Sequence, residues 1–102
     1  MSRAFVVQDR RKLDLSAALE FGELVLLLPE NNNVLNNPRD TLRRLERGLS
    51  DFSDDDYLLA IGDPSAIALA AIVAARANNG RLKMLRWDNV ECKYLSITLD
   101  TR

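Results

Sequence analysis

The stretch YLLAIGDPSAIALAAIVAARANNG, residues 57–80, decides the fold class. Tyr57-Leu58-Leu59-Ala60-Ile61 is a continuous apolar run, as expected of a strand covered on both faces rather than one. Gly62-Asp63-Pro64-Ser65 turns the chain, with Asp63 or Ser65 placed to cap a helix that begins at once. That helix, residues 66–78, shows no polar side chain for ten positions and stops at Asn78-Asn79-Gly80, where glycine suits a left-handed cap. Strand, tight turn and helix in this order make half of a strand–helix–strand unit.

Working outward, the same grammar repeats. Glu23-Leu24-Val25-Leu26-Leu27-Leu28 is a second buried strand, ended by Pro29. An asparagine-rich loop, residues 30–37, is expected to tuck Val34 and Leu35 inward. Asn37 then caps a helix with Pro38 at its first position, and Leu42, Leu45 and Leu49 form its apolar stripe. It should end near Ser50 and give way to an acidic loop, residues 50–56. Towards the N-terminus, Phe5-Val6-Val7 reads as an edge strand, residues 9–14 as a polar connection, and residues 14–20 as a short helical turn. After Gly80, residues 81–87 and 92–99 read as a hairpin, turning at Asp88-Asn89-Val90-Glu91. Its last strand alternates, with Leu95, Ile97 and Leu99 on one face and Tyr94, Ser96 and Thr98 on the other, and Trp87 and Tyr94 are placed to pair across it. The expected fold is therefore a small Rossmann-like α/β domain spanning residues 1–102: a three-stranded parallel sheet with a C-terminal antiparallel hairpin.

Composition limits the chemistry. A chain of 102 residues has room for one core, and 47% hydrophobic residues with few aromatics make that core aliphatic. Fourteen basic residues against fifteen acidic ones leave a net charge of −1, which argues against holding nucleic acid by bulk charge. The absence of histidine excludes Ser-His and Cys-His nucleophile pairs, histidine-ligated zinc and imidazole acid–base catalysis. One cysteine, Cys92, permits no intramolecular disulfide and suits a reducing compartment. No signal peptide or membrane span is expected, so the reading is a cytoplasmic protein without a membrane partner.

The helix after Pro64 asks for cover. A helix lying on a sheet needs one apolar stripe, and this one is apolar on nearly every face through Ala75. Either the neighbouring elements cover it or a second subunit does. A C2 homodimer through Ile67, Ala70, Ala71 and Ala74 is the sharper expectation, with a protein partner beyond it.

Open α/β sheets bind ligands beyond the carboxyl ends of their strands. Glu30 and Asp63 both fall there and, if their strands are neighbours, would share a Mg²⁺ ion; otherwise no cofactor is expected. The arrangement resembles in part the Toprim domains of topoisomerases and primases, where a glutamate and an Asp-x-Asp hold the metal. Here Ser65 stands where the second aspartate would be, and no glycine follows Glu30. Ser65, at the start of a helix, is a candidate anion contact. Arg39, Arg43 and Arg47, four apart, are candidate nucleic-acid contacts, although the acidic loop that follows is expected to balance them.

The run Asp56-Tyr57-Leu58-Leu59-Ala60-Ile61-Gly62-Asp63-Pro64, with Gly80-Arg81-Leu82-Lys83-Met84-Leu85-Arg86-Trp87-Asp88 after an alanine-rich helix, resembles small proteins encoded by tailed bacteriophages. Arg3-Ala4-Phe5-Val6-Val7 and Phe21-Gly22-Glu23-Leu24-Val25 fit the same pattern. The resemblance implies production in a bacterial cytoplasm and supplies no catalytic residues. The expected role is that of a non-enzymatic, homodimeric binding protein. The alternatives are a metal- or nucleotide-binding protein using the strand-end acids and a nucleic-acid binder using the arginine-bearing helix.

Overall fold

The computed structural model describes residues 2–10 and 13–102. Five strands and two α-helices follow in the order β1 (Arg3–Gln8), β2 (Glu23–Leu28), α1 (Pro38–Gly48), β3 (Tyr57–Leu59), α2 (Pro64–Ala77), β4 (Arg81–Asp88) and β5 (Lys93–Asp100). A 3-10 turn, Ser16–Phe21, stands between β1 and β2 where a short helical turn is expected. The polar connection expected at residues 9–14 lies partly outside the described residues, at positions 11 and 12.

The strands hydrogen-bond in the order β2-β1-β3-β4-β5. β1 pairs in parallel with both β2 and β3, β3 with β4, and only β5 runs antiparallel. The expected three parallel strands are thus four, and the segment expected at the edge is an inner strand. Ala4, Phe5, Val6 and Val7 are all at most 1% exposed. A run of three apolar residues was too short a signal to separate an edge strand from a doubly covered one.

Crossover handedness explains the two layers. The connections β2-α1-β3 and β3-α2-β4 advance along the sheet in one direction, while β1-to-β2 goes the other way, so right-handed crossings put them on opposite faces. On one face α1 and α2 cover Phe5, Val7, Leu58 and Leu82. On the other, the 3-10 turn brings Ala18 over Ala4, Val6, Leu59 and Leu85.

Local chemistry sets the ends of the helices. Asn37 occupies the position before α1, but its side chain makes no capping bond there; Asn33 instead accepts from the Leu35 and Asn36 amides. α1 buries Thr41 and Leu45, the row continues through Leu49 at its C-terminal cap, and Leu42 lies at the margin at 38% exposed. Val34 is buried as expected, but Leu35 is 90% exposed, because only one of two adjacent loop side chains points inward. At the end of α2 the Gly80 amide donates to the Ala75 carbonyl at 2.7 Å, with Asn79 and Gly80 both at positive φ.

Candidate functional site

Two regions are candidates: the carboxyl edge of the parallel strands, and the open end of the sheet at β4 and β5.

At the carboxyl edge the ligand crevice of an open sheet lies where the chain connections diverge, here around the end of β1. Gln8 fills it. Its side chain is 2% exposed. Its Nε2 donates to the carbonyls of Asn32 (2.9 Å), Pro29 and Glu30 (3.3 Å each), and its Oε1 accepts from the Asp63 amide at 2.8 Å. Gly62, at φ +128°, closes against it: a Cβ there would stand 2.5 Å from the Gln8 Cβ. One amide side chain, which can donate and accept at once, therefore joins the loops after β2 and β3.

The residues singled out from the sequence fall around this plug. Glu30 follows β2 and Asp63 follows β3, and β1 runs between those strands, so the two are not neighbours in the sheet. The Gln8 side chain bridges them, donating to the Glu30 carbonyl and accepting from the Asp63 amide. Asp63 turns to its own helix instead: its Oδ1 accepts from the Ser65 amide at 2.8 Å, ahead of Pro64 in the first turn of α2. The amide expected to meet an anion at Ser65 is thus engaged by a carboxylate. Among the described residues, no three His, Cys, Asp or Glu side chains are grouped to hold a metal ion.

The acidic loop has a different task from the one expected. Asp56, 1% exposed, receives Arg3 Nε at 3.1 Å and Nη2 at 2.9 Å, with the Ser53 amide at 2.9 Å. Burial pushes its carboxyl up, and the bonds from Arg3 and Ser53 outweigh that and hold it below the ordinary carboxylate range. Asp51 takes the other side of Arg3 at 3.0 Å, and Asp54 pairs with Arg81 at 2.9 Å. The loop is the counter-charge of β1 and β4 and does not balance the arginines of α1. Arg44 pairs with Asp40, while Arg39, Arg43 and Arg47 line the outward side of α1 and make no ion pair among the described residues. Sequence spacing could not find Arg3 and Asp56, which lie 53 residues apart.

The four residues expected at a dimer interface belong mostly to the chain's own core. Ala70 and Ala74 are 0% exposed, and Ile67 and Ala71 are half-buried against the same cluster, so α1 and the sheet cover that side of α2. Small side chains on α2 let the helix approach the strands closely, and the opposite side, with Ala68 and Ile72, faces out.

At the open end a row of apolar side chains stays exposed. Register places Ile97 opposite Met84 and Leu99 opposite Leu82, so the apolar row of β5 continues the face that α2 covers farther in. No helix reaches it. Leu95, Ile97 and Leu99 are 41–46% exposed and Ile72 is 54% exposed. Between α2 and β5, Ile72 and Leu99 border a groove of about 520 Å³ also lined by Leu82 and Met84. Trp87 and Tyr94 pair edge-to-face on the other side at 5.0 Å, as the hairpin pattern anticipates.

No helix among the described residues is long and apolar enough to cross a membrane. No curated protein and no solved structure matches the chain, and nothing found relates it to Toprim domains. The family model described as phage Pam3 gp32-like protein matches residues 2–101, and the chain belongs to that family of phage proteins.

Proposed function

We propose that this phage protein is a non-catalytic module that acts in the host cytoplasm by binding a partner macromolecule, and that it does so as a homodimer. The observation that carries the reading is the uncovered apolar face around Ile72, Leu95, Ile97 and Leu99. Contiguous apolar surface of this kind marks interaction sites in otherwise soluble proteins. The carboxyl edge offers a ligand less: Gln8 fills the crevice, and Asp63 is committed to capping α2. The test is complementation of a phage lacking the gene. Ile72→Glu and Leu99→Glu, checked for native circular dichroism, are expected to lose plaque formation, while the double variant Glu30→Ala/Asp63→Asn keeps it. The reverse pattern overturns the reading in favour of a metal or nucleotide site.

A second reading rests on α1. Arg39, Arg43 and Arg47 are exposed along one side, successive side chains rising about 6 Å along the axis, a spacing that suits successive phosphates. Fluorescence anisotropy with single-stranded DNA at low salt tests it. Binding lost in the triple alanine variant supports nucleic-acid contact, and absence of binding to the native protein ends it.

A further inference from the structure

β5 is an edge strand of eight residues with no proline, glycine or charged side chain from Tyr94 to Leu99. Natural edges are usually blunted by such residues, because an open row of amides and carbonyls is a template for another strand. The outward groups of β5 can be assigned. Thr101 donates its amide to Gly80, and the Leu85 carbonyl, beside Ser96, accepts from the amide of Ala60 just past β3. Antiparallel ladders alternate bonded and non-bonded pairs. Leu95, Ile97 and Leu99 therefore bond inward to β4, and the amides and carbonyls of Tyr94, Ser96, Thr98 and Asp100 point away from the sheet.

The sequence of this edge is close to a palindrome: Leu95-Ser96-Ile97-Thr98-Leu99. We propose that the outer edge of β5 pairs antiparallel with β5 of a second copy of this chain, with Ile97 facing Ile97 across a two-fold axis normal to the sheet. The inference rests on the binding reading above and names one occupant of that surface. In this register Leu95 lies opposite the partner's Leu99 and Ser96 opposite the partner's Thr98. Aliphatic side chains meet on one face, hydroxyls on the other, and no like charges stand opposite each other. The outward groups of Ser96 and Thr98 then form bonded pairs, and the axis passes through a non-bonded pair. A shift of one residue would set the apolar row of one strand against the polar face of the other, which fixes the register. The other edge, β2, is shorter, is bounded by Glu23 and Pro29, and has its faces packed by α1 and the 3-10 turn.

Cysteine cross-linking reads the register directly. Cα atoms of a non-bonded antiparallel pair lie about 4.5 Å apart, within disulfide reach. In a Cys92→Ser background, Ile97→Cys is expected to oxidise to a covalent dimer. Leu95→Cys and Leu99→Cys should cross-link when mixed with each other and not alone. The native Cys92 residues should not cross-link, because the register holds them about 34 Å apart. Light scattering of the unmodified protein should give about twice 11.5 kDa, Ile97→Lys should return it to the monomer, and Leu26→Lys on β2 should leave the dimer intact. A monomeric native protein, a dimer abolished by Leu26→Lys instead, or cross-linking without regard to position overturns the proposal. A monomer whose Ile72→Glu variant still fails to complement overturns the self-pairing alone and leaves the binding reading standing.

Discussion

Arg3 and Asp56 form a two-point ion pair that ties the start of β1 to the start of β3, with the carboxylate fully buried and the guanidinium also resting 4.8 Å from the Phe5 ring centre. Removing one member of a buried pair leaves the other without compensation, a loss of about 3–5 kcal/mol when both are dry. The Arg3 side chain is 28% exposed, so water compensates in part. Asp56→Ala is therefore expected to cost about 2–3 kcal/mol in urea unfolding. Arg3→Lys keeps the charge but not the fork geometry and should cost about 1 kcal/mol. An unchanged midpoint in Asp56→Ala would deny the pair a structural role.

The same carboxylate predicts an acid limb. Its folded value lies below the ordinary one, so its stabilisation is fully present above the unfolded value of about 4 and is lost as pH falls through the folded value. Urea midpoints measured from pH 6 down to pH 2 should fall below about pH 4. In Asp56→Asn that fall should be shallower. Equal slopes in the two proteins would place the acid sensitivity elsewhere.

Gln8 and Gly62 make a second stability test. Gln8→Leu keeps the bulk but leaves the Asp63 amide without its acceptor and three carbonyls without their shared donor, a cost of about 2–3 kcal/mol. Gly62→Ala combines a strained φ of +128° with a clash at 2.5 Å against the Gln8 Cβ and should cost at least about 2 kcal/mol. For a chain of this size that corresponds to a fall of about 8 °C or more in Tm. A Gly62→Ala protein as stable as the parent would mean that the turn relaxes freely.

The two sides of α2 should respond oppositely to added volume. Ala74→Leu forces extra carbons into the close contact with the strands and is expected to cost about 1–3 kcal/mol. Ala68→Leu, on the outward side, should stay within about 0.5 kcal/mol of the parent. Thermal denaturation of the pair decides it, and equal losses would contradict the packing described.

The repeated strand–turn–helix grammar was legible because each signal was local: Pro29 and Pro64, Gly62 and Gly80, and apolar runs of fixed length. Placement of β1 was not, since a three-residue run says nothing of its neighbours. The apolar character of α2 is plain in the sequence, but Ala70 and Ala74 serve intimate helix–sheet contact, a distinction that needs the third dimension. Gln8 gave no signal at all, because an isolated glutamine becomes meaningful only when carbonyls 21–24 residues away and an amide 55 residues away converge on it.

Placing β1 at the heart of the sheet has a consequence for the order of synthesis. β1 waits for a partner on its second side until Tyr57–Leu59 has been made, roughly fifty residues later. Until then Phe5, Val6 and Val7 have only β2 beside them, and Gln8 has no Asp63 amide to hold. The nascent chain thus carries these apolar side chains covered on one side only while the ribosome works through the asparagine loop and α1, and assembly is governed by distant rather than local closures.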